Sequence, residues 1–460
     1  MIEYMNKAKH IEIMAPAGNF ECLMAAIQGG ADSVYFGVGN LNMRSHSANN
    51  FTNEDLKEVV HICKEHGVKT YLTLNIVVYQ TEMEDVRKAL EAAKEAGISA
   101  VIASDMAVIL MARSMGIEIH ASTQMNISNF EAAKFYAQFA DVIVLARELT
   151  LPQIKDISQR IEEEHICGPS GNLLQLELFV HGALCMSISG KCYLSLQEYG
   201  ASANRGSCYQ LCRRGYRVTD LETGRELEID NKYIMSPKDL CTIEFIDKII
   251  DAGISVFKIE GRARSAEYVK IVTQAYRQAA DACTLACQIN ASYKTTPAND
   301  STNCPQEKII EPASGKSVPA ESKTEEVFGQ YTDQMKQELK DRLSGVFNRG
   351  FWDGYYQGAR LGQWSEVYGN KAARKKVYTA KITNYFSKLG VAEVLVEAGE
   401  LKVGDDILII GPSTGCVELK IAEIRVDLKP VEKAVKGDLC SIPVAEKLRR
   451  SDKLYLWQPS

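Results

Sequence analysis

Short apolar runs alternate with longer stretches of helical periodicity through residues 1–287 of the chain. Buried strands are predicted at IEIMAPAG and ADSVYFG, and each is followed by an amphipathic helix such as ECLMAAIQGG. The unit recurs until strands at QLELFVHGAL and ISVFKIEG bring the count to eight. Eight strand–helix units predict an α/β fold with a TIM-type (β/α) barrel. A doubly wound open sheet is the alternative, but no Gly-x-Gly-x-x-Gly turn follows the first strand.

The pattern changes twice after the barrel. Residues 288–323 are rich in Ser, Thr, Pro, Asn and Lys, a composition typical of a flexible insertion. A helical and aromatic connector at 324–376 is expected to complete the first domain. Residues 377–460 then alternate apolar and polar positions with period two between Gly-Asp turns. This last pattern predicts a separate, small all-β barrel domain.

Composition narrows the class of protein. The net charge of −6 argues against a surface coated with basic residues for non-specific nucleic-acid binding. No apolar run approaches the length of a membrane span, and the N-terminal residues lack the apolar core of a signal peptide. Thirteen cysteines without such a signal fit a reducing compartment. We therefore expect a cytoplasmic protein with no membrane partner.

Four of the cysteines fall in one short segment, residues 185–212. Cys185, Cys192, Cys208 and Cys212 are spaced Cys-x6-Cys-x15-Cys-x3-Cys, which is looser than the paired Cys-x2-Cys of most structural zinc sites. Thiols clustered in this way in a reducing compartment are typical of metal ligands. The spacing leaves open an iron–sulfur cluster, a zinc ion, and reduced structural thiols without metal.

Polar residues stand where the predicted strands end. Active sites of TIM barrels lie at the C-terminal ends of the strands, so these residues are candidates for the site. Period two also places Glu177 on the same face as His181, and Lys258 on the same face as Glu260. A buried ion-pair network that only holds the barrel is the alternative for Glu177, Lys258 and Glu260. The candidates at strand ends and in the adjoining loop are Arg44, Asn75, Asp105, Gln124, Arg147, His181 and Glu260.

Several longer motifs occur together and in order. They are MAPAGNFECLMAAIQGGADSVYFG, ELFVHGALCMSISGKCYLS, NRGSCYQLCRRGY, SVFKIEGRARSAEYV and FNRGFWDGYY. With them, the chain resembles the collagenase-like peptidase family U-32 over nearly its whole length. The segment 288–323 departs from the family's usual pattern.

The resemblance implies a [4Fe–4S] cluster on Cys185, Cys192, Cys208 and Cys212, and RNA or quinone hydroxylation rather than proteolysis. The C-terminal β-barrel makes the chain most similar to the members that produce 5-hydroxyuridine at the wobble position of tRNA. In those members prephenate is a co-substrate.

On this interpretation each candidate residue has a role. Arg44, Arg147 and Lys258 would bind the prephenate carboxylates. The catalytic candidates are His181, Arg147, Lys258 and Glu260, and the substrate-binding candidates are Arg44, Asn75, Gln124 and Glu177. His181 is also a candidate cluster ligand or a donor to a cluster sulfur. A peptidase stays an alternative, although no motif for a nucleophile or a water-activating metal occurs. Two further alternatives are a different RNA or quinone hydroxylation protein and a non-catalytic iron–sulfur scaffold.

Overall fold

The apolar runs form a closed ring of strands in the computed structural model, which describes residues 10–45, 50–226, 233–294, 331–367 and 369–460. Of residues 285–294 it describes the backbone alone. The first nine strands are β1 (Glu12–Pro16), β2 (Ser33–Gly37), β3 (Lys69–Leu74), β4 (Ala100–Ala103), β5 (Glu118–Ala121), β6 (Val142–Val144), β7 (Gln175–Gly182), β8 (Asp239–Cys241) and β9 (Val256–Ile259).

Eight of these strands are parallel neighbours in chain order, and β9 closes the ring. It pairs with β1 on one side and with β7 on the other, both in parallel. The prediction of a TIM-type barrel is therefore confirmed. The remaining strand, β8, runs antiparallel to the end of β7, where His181 pairs with Cys241.

Helices cover the outside of the ring because parallel strands need crossover connections. Asn19 caps the first helix by accepting a hydrogen bond from the Cys22 backbone N–H, and Asn129 caps the fifth in the same way. The helices are α1 (Phe20–Gln28), α2 (Leu56–Glu65), α3 (Met83–Ala96), α4 (Met106–Ser114), α5 (Phe130–Tyr136), α6 (Leu151–Glu163), α7 (Leu194–Tyr199), α8 (Ile246–Asp251), α9 (Ala266–Lys294) and α10 (Asp333–Ser344). None of the described helices has the length and apolar character needed to cross a lipid bilayer.

The chain returns to the barrel after residue 331. The short strand β10 (Phe351–Trp352) pairs with β8, and the Tyr356 hydroxyl donates a hydrogen bond to the Phe179 carbonyl. Helix α9 continues through Lys294, so residues 288–294 of the expected flexible insertion are helical. The rest of that segment, residues 295–323 with Cys304, lies outside the described residues.

The C-terminal domain is antiparallel and all-β, as the alternating pattern predicts. Its main sheet has the strand order β15-β14-β20-β11-β12-β19-β16-β17, and β13 pairs with β18. The strands are β11 (Arg374–Phe386), β12 (Val391–Val396), β13 (Glu400–Lys402), β14 (Asp406–Gly411), β15 (Gly415–Lys420), β16 (Ile424–Val426), β17 (Lys429–Val431), β18 (Lys433–Val435), β19 (Leu439–Pro443) and β20 (Lys453–Pro459). The domain begins three residues before the expected position, since β11 starts at Arg374.

This domain packs on α1 and α9 of the barrel. The Gln28 side chain forms two hydrogen bonds across the contact, to the Thr414 carbonyl at 2.8 Å and from the Cys416 N–H at 3.0 Å. Lys270 donates to the Cys416 carbonyl, and Cys416 itself belongs to the barrel's apolar core. The two domains therefore share a continuous buried interface.

Candidate functional site

A cavity of about 230 Å³ lies at the C-terminal ends of the barrel strands. Its walls come from the strand ends, and its roof is the cysteine segment, which we define as residues 183–217 between β7 and β8. Ten of the residues predicted for the site line this cavity. They are Arg44, Asn75, Gln124, Arg147, Lys258, Glu260, Cys185, Cys192, Cys208 and Cys212.

His181 does not join them. The pairing of β7 with β9 shifts register between Phe179 and His181, which interrupts the period-two alternation. Phe179 consequently lines the cavity, while the His181 ring turns to α9, where its Nδ1 lies 3.3 Å from the Tyr276 hydroxyl. Burial, with a smaller effect of Arg264, lowers the pKa of His181 to about 3. The prediction that His181 shares a face with Glu177 at the site is wrong.

Asp105 also has a structural position. Its carboxylate accepts hydrogen bonds from the Ala107 and Val78 backbone N–H groups, and so caps α4 and fixes the loop after β3. These contacts occupy both carboxylate oxygens outside the cavity lining.

Positive charge dominates the cavity. Among the described residues, one carboxylate, Glu260, faces seven cationic side chains. The seven are Arg44, Arg147, Arg213, Lys258, Arg262, Arg264 and Arg349. Lys258 and Arg349 are paired with Glu177 and Asp239, which lie behind the wall. The excess of guanidinium groups fits an anionic ligand, because buried cations require a counter-charge.

Three of the guanidinium groups in the cavity have no carboxylate partner among the described residues. The Arg262 side chain is bonded to two neutral groups, Asn42 and Thr73, and burial lowers its pKa to about 10. Arg147 lies over the Phe179 ring at 3.9 Å, and its buried Nε has no hydrogen-bond partner among the residues described. Arg213 donates to the Ser236 hydroxyl and to backbone carbonyls. None of the three contacts a carboxylate within the described residues.

Sequence reasoning missed four of these cations: Arg213, Arg262, Arg264 and Arg349. A signal was present for three of them. Arg262 and Arg264 continue the every-second-residue spacing of Lys258 and Glu260 past the end of β9, and Arg213 directly follows a predicted metal ligand. Arg349 could not be found in this way, because it lies on a distant connector that folds back against β8.

Glu260 forms the central ion pair of the cavity, with Arg44 Nη2 at 2.9 Å. Burial by itself would raise the pKa of Glu260, but Arg44, Arg147 and Arg262 together lower it to about 2. The carboxylate is therefore ionised across the physiological range. It holds the Arg44 guanidinium in the cavity and is too acidic to serve as a proton donor at neutral pH.

The low pKa predicts how stability depends on pH. An unfolded Glu has a pKa of about 4.3, so ionised Glu260 stabilises the fold above that pH, and this contribution is lost as pH falls towards 2. We expect Glu260→Gln to lower the free energy of unfolding by about 2 kcal/mol at neutral pH, the value typical of charged hydrogen bonds. Urea titrations should show the difference between variant and parent narrowing towards about pH 2. A difference that is constant with pH would contradict this assignment.

A second ion pair, between Lys258 and Glu177, lies beneath the cavity, inside the barrel. Lys258 Nζ is 2.6 Å from Glu177 Oε1, and both side chains are almost fully buried. Glu177 Oε2 lies 4.0 Å from His120 Nδ1, and neither atom has a hydrogen-bond partner in the part of the chain that the structure describes. Lys258 thus belongs both to a structural ion pair and to the cavity wall. Glu177 does not line the cavity, so the prediction that it binds substrate directly is wrong.

The four cysteines fit a metal centre by their chemistry. All four cysteines line one cavity, and Cys185, Cys192 and Cys208 lie close enough to Cys212 to raise its pKa. Burial raises the pKa of Cys212 to about 11 against the opposing effect of Arg213. Within the described residues, no three His, Cys, Asp or Glu side chains have the spacing of a metal site. Cysteine sulfur is the ligand type of both zinc sites and iron–sulfur clusters, and the described residues do not form a preformed site for either.

Comparison with known proteins identifies relatives of two kinds. The model of "Peptidase family U32" matches residues 18–303. A protein named collagenase from Porphyromonas gingivalis is 52% identical over 96% of this chain and 97% of its own length. A tRNA hydroxylation protein of Bacillus subtilis is 36% identical over 60% of this chain and 64% of its own length. A 23S rRNA 5-hydroxycytidine synthase of Escherichia coli is 38% identical over 59% of this chain and 39% of its own length.

Proposed function

The chain belongs to peptidase family U32, and we propose that within it the protein hydroxylates RNA, with tRNA uridine as the substrate and 5-hydroxyuridine as the product. The observation that carries the proposal is the cavity, where four thiols and an excess of guanidinium groups face one enclosed space. The family model matches residues 18–303, which include the cysteine segment and every barrel strand except β1. Relatives named for tRNA and rRNA hydroxylation support the choice of RNA.

The size and charge of the cavity support a small anionic co-substrate. At about 230 Å³ it is smaller than the roughly 300–1,000 Å³ of pockets for drug-sized ligands. It therefore suits small groups, such as a compact metabolite beside the arginines and an extruded base. Prephenate carries two carboxylates, and we assign these to Arg44, Arg147 and Lys258, with Arg262 as a further donor. Asn75 and Gln124, whose amides lie 3.4 Å apart on the cavity wall, would orient the substrate's polar edges.

We assign a [4Fe–4S] cluster to Cys185, Cys192, Cys208 and Cys212. When bound, such a cluster supplies one-electron transfer next to the cavity. Two of the chain's own residues would support the cluster and the ligand. Arg213 would offset the negative charge of the thiolates, and Glu260 would hold Arg44 towards the ligand. His181, buried and neutral above about pH 3, supports β7 from behind the wall.

A peptidase is the second candidate, favoured by the whole-length similarity to the protein named collagenase. The cavity provides few of the groups that peptide hydrolysis requires. Its one carboxylate among the described residues is paired with Arg44, and its lowered pKa makes it a poor proton donor at neutral pH. Incubation of the purified protein, with defined metal content, with gelatin tests this candidate directly.

Mass spectrometry of tRNA nucleosides is the decisive experiment. We expect deletion of the gene to remove 5-hydroxyuridine and its derivatives, and the parent gene to restore them. A gene that encodes Arg147→Ala should restore about tenfold less 5-hydroxyuridine than the parent gene, or even less, because a buried charged contact contributes roughly 1.5–3 kcal/mol. Arg113→Ala, on the outer helix α4, is the matched control and should restore fully. Unchanged tRNA together with gelatin cleavage would favour the peptidase.

A further inference from the structure

Exposed tyrosines collect around the mouth of the cavity. The described residues include four tyrosines with about half or more of their surface exposed: Tyr193 at 69%, Tyr209 at 58%, Tyr79 at 54% and Tyr199 at 49%. Three belong to the cysteine segment, and Arg205 of that segment lies over the Tyr79 ring at 3.9 Å. We call these four residues the tyrosine rim. Large aromatic rings are costly to leave in water, so their concentration at one place indicates a binding surface.

The rim adjoins the cavity directly. Tyr193 stands between Cys192 and Leu194, and Tyr209 stands between Cys208 and Gln210, four residues that all line the cavity. The Tyr199 and Tyr209 rings lie 5.2 Å apart, so they form one aromatic surface. Tyr193 has no ring or guanidinium partner among the described residues, and it is the most exposed of the four.

Positive charge accompanies the rings. The cysteine segment contains five Lys and Arg residues and a single Glu, in a chain whose net charge is −6. Arg214 lies over the Tyr199 ring at 5.6 Å and donates to its hydroxyl at 2.9 Å. Arg205 is held by Glu82 and by the Val77 carbonyl at 2.8 Å, which fixes the Tyr79 loop to the segment. Stacking rings interleaved with arginines fit a polyanion that presents flat, unpaired groups.

We propose that the tyrosine rim is the RNA-binding surface of the protein and that it stacks the unpaired nucleotides flanking the base that enters the cavity. The inference rests on the proposed function and extends it, because it commits the substrate to a single-stranded loop of RNA. A duplex keeps its bases stacked on each other, so it cannot use the exposed ring faces. The arginines contact phosphates and contribute a salt-dependent part of the affinity.

Fluorescence anisotropy with a labelled RNA hairpin tests the rim. Stacking contributes roughly 1–3 kcal/mol per base, so the double variant Tyr193→Ala/Tyr209→Ala is expected to raise the Kd for the hairpin about tenfold or more. Phe135→Ala, an equally exposed ring on α5, is the control and should leave the Kd unchanged. Arg214→Ala should flatten the dependence of Kd on salt, whereas the tyrosine variant should keep it. Thermal unfolding of each variant checks that the fold is retained.

The outcomes separate the rim from the proposed reaction. An unchanged Kd in the double variant overturns the rim, as does equal weakening by Phe135→Ala. Equal loss of affinity for a fully paired duplex overturns the assignment to unpaired nucleotides, and displacement of the hairpin by gelatin peptides overturns the assignment to RNA. If the rim variants lose hairpin binding while deletion of the gene leaves tRNA nucleosides unchanged, the rim stands and the proposed hydroxylation fails.

Discussion

Replacing Cys212 with serine is expected to remove iron, sulfide and RNA product together. Serine lacks the thiolate that a cluster requires, and Cys212 lies among the other three thiols at the cavity. The parent protein, purified without oxygen or reconstituted with iron and sulfide, should show the broad visible absorption of an iron–sulfur centre. We expect the variant to lose nearly all of that absorption, and Cys208→Ser to behave in the same way.

Cys167→Ser provides the matched control. This thiol is also free and partly exposed, but it lies before β7 and does not line the cavity. Its replacement should leave iron content and product unchanged. If Cys167→Ser lost the visible absorption as fully as Cys212→Ser, the ligands would be assigned wrongly. If the parent protein contained stoichiometric zinc and no iron or sulfide, the four cysteines would form a zinc site instead of a cluster.

Lys258→Met is expected to give the largest loss of stability, roughly 3–5 kcal/mol. That is the usual cost of removing one partner of a buried ion pair, because the other charge is left without compensation. Here the uncompensated charge would be Glu177, which is fully buried 2.6 Å from Lys258 Nζ. Urea denaturation followed by circular dichroism measures the free energy of unfolding.

Two further variants isolate the cause of that loss. Lys258→Met/Glu177→Gln removes both charges and should recover a large part of the stability. Lys57→Met breaks an exposed pair with Glu95 and should cost less than about 1 kcal/mol. If the double variant were as unstable as Lys258→Met alone, lost packing against Tyr35 and Phe179 would account for the effect instead.

The barrel could be predicted because each of its units repeats a local signal. A buried apolar run such as IEIMAP allows one strand, and the amphipathic stretch after it allows one outer helix. The longer C-terminal strands followed from period two in the same way. The three-residue strands β13, β17 and β18 could not be predicted, since none of them lies in an apolar run such as the one that identifies the equally short β6.

The site was predictable where a strand end alone determines position, as for Asn75 and Arg147. It was not predictable where backbone pairing changes the direction of a side chain. A single register shift in β7 turns His181 from the barrel to α9, and no property of the residue types in that strand signals the shift. Arg349 reaches the cavity because the connector returns to pair with β8. Local sequence patterns do not predict such a long-range contact.

The cysteine segment lies outside the hydrogen-bonded ring, which β9 closes between β7 and β1 without any of the four thiols. We therefore expect the barrel to fold whether or not the proposed cluster is bound. On that expectation, loss of the cluster to oxygen would inactivate the protein without unfolding it, and the cluster could be rebuilt on the same polypeptide.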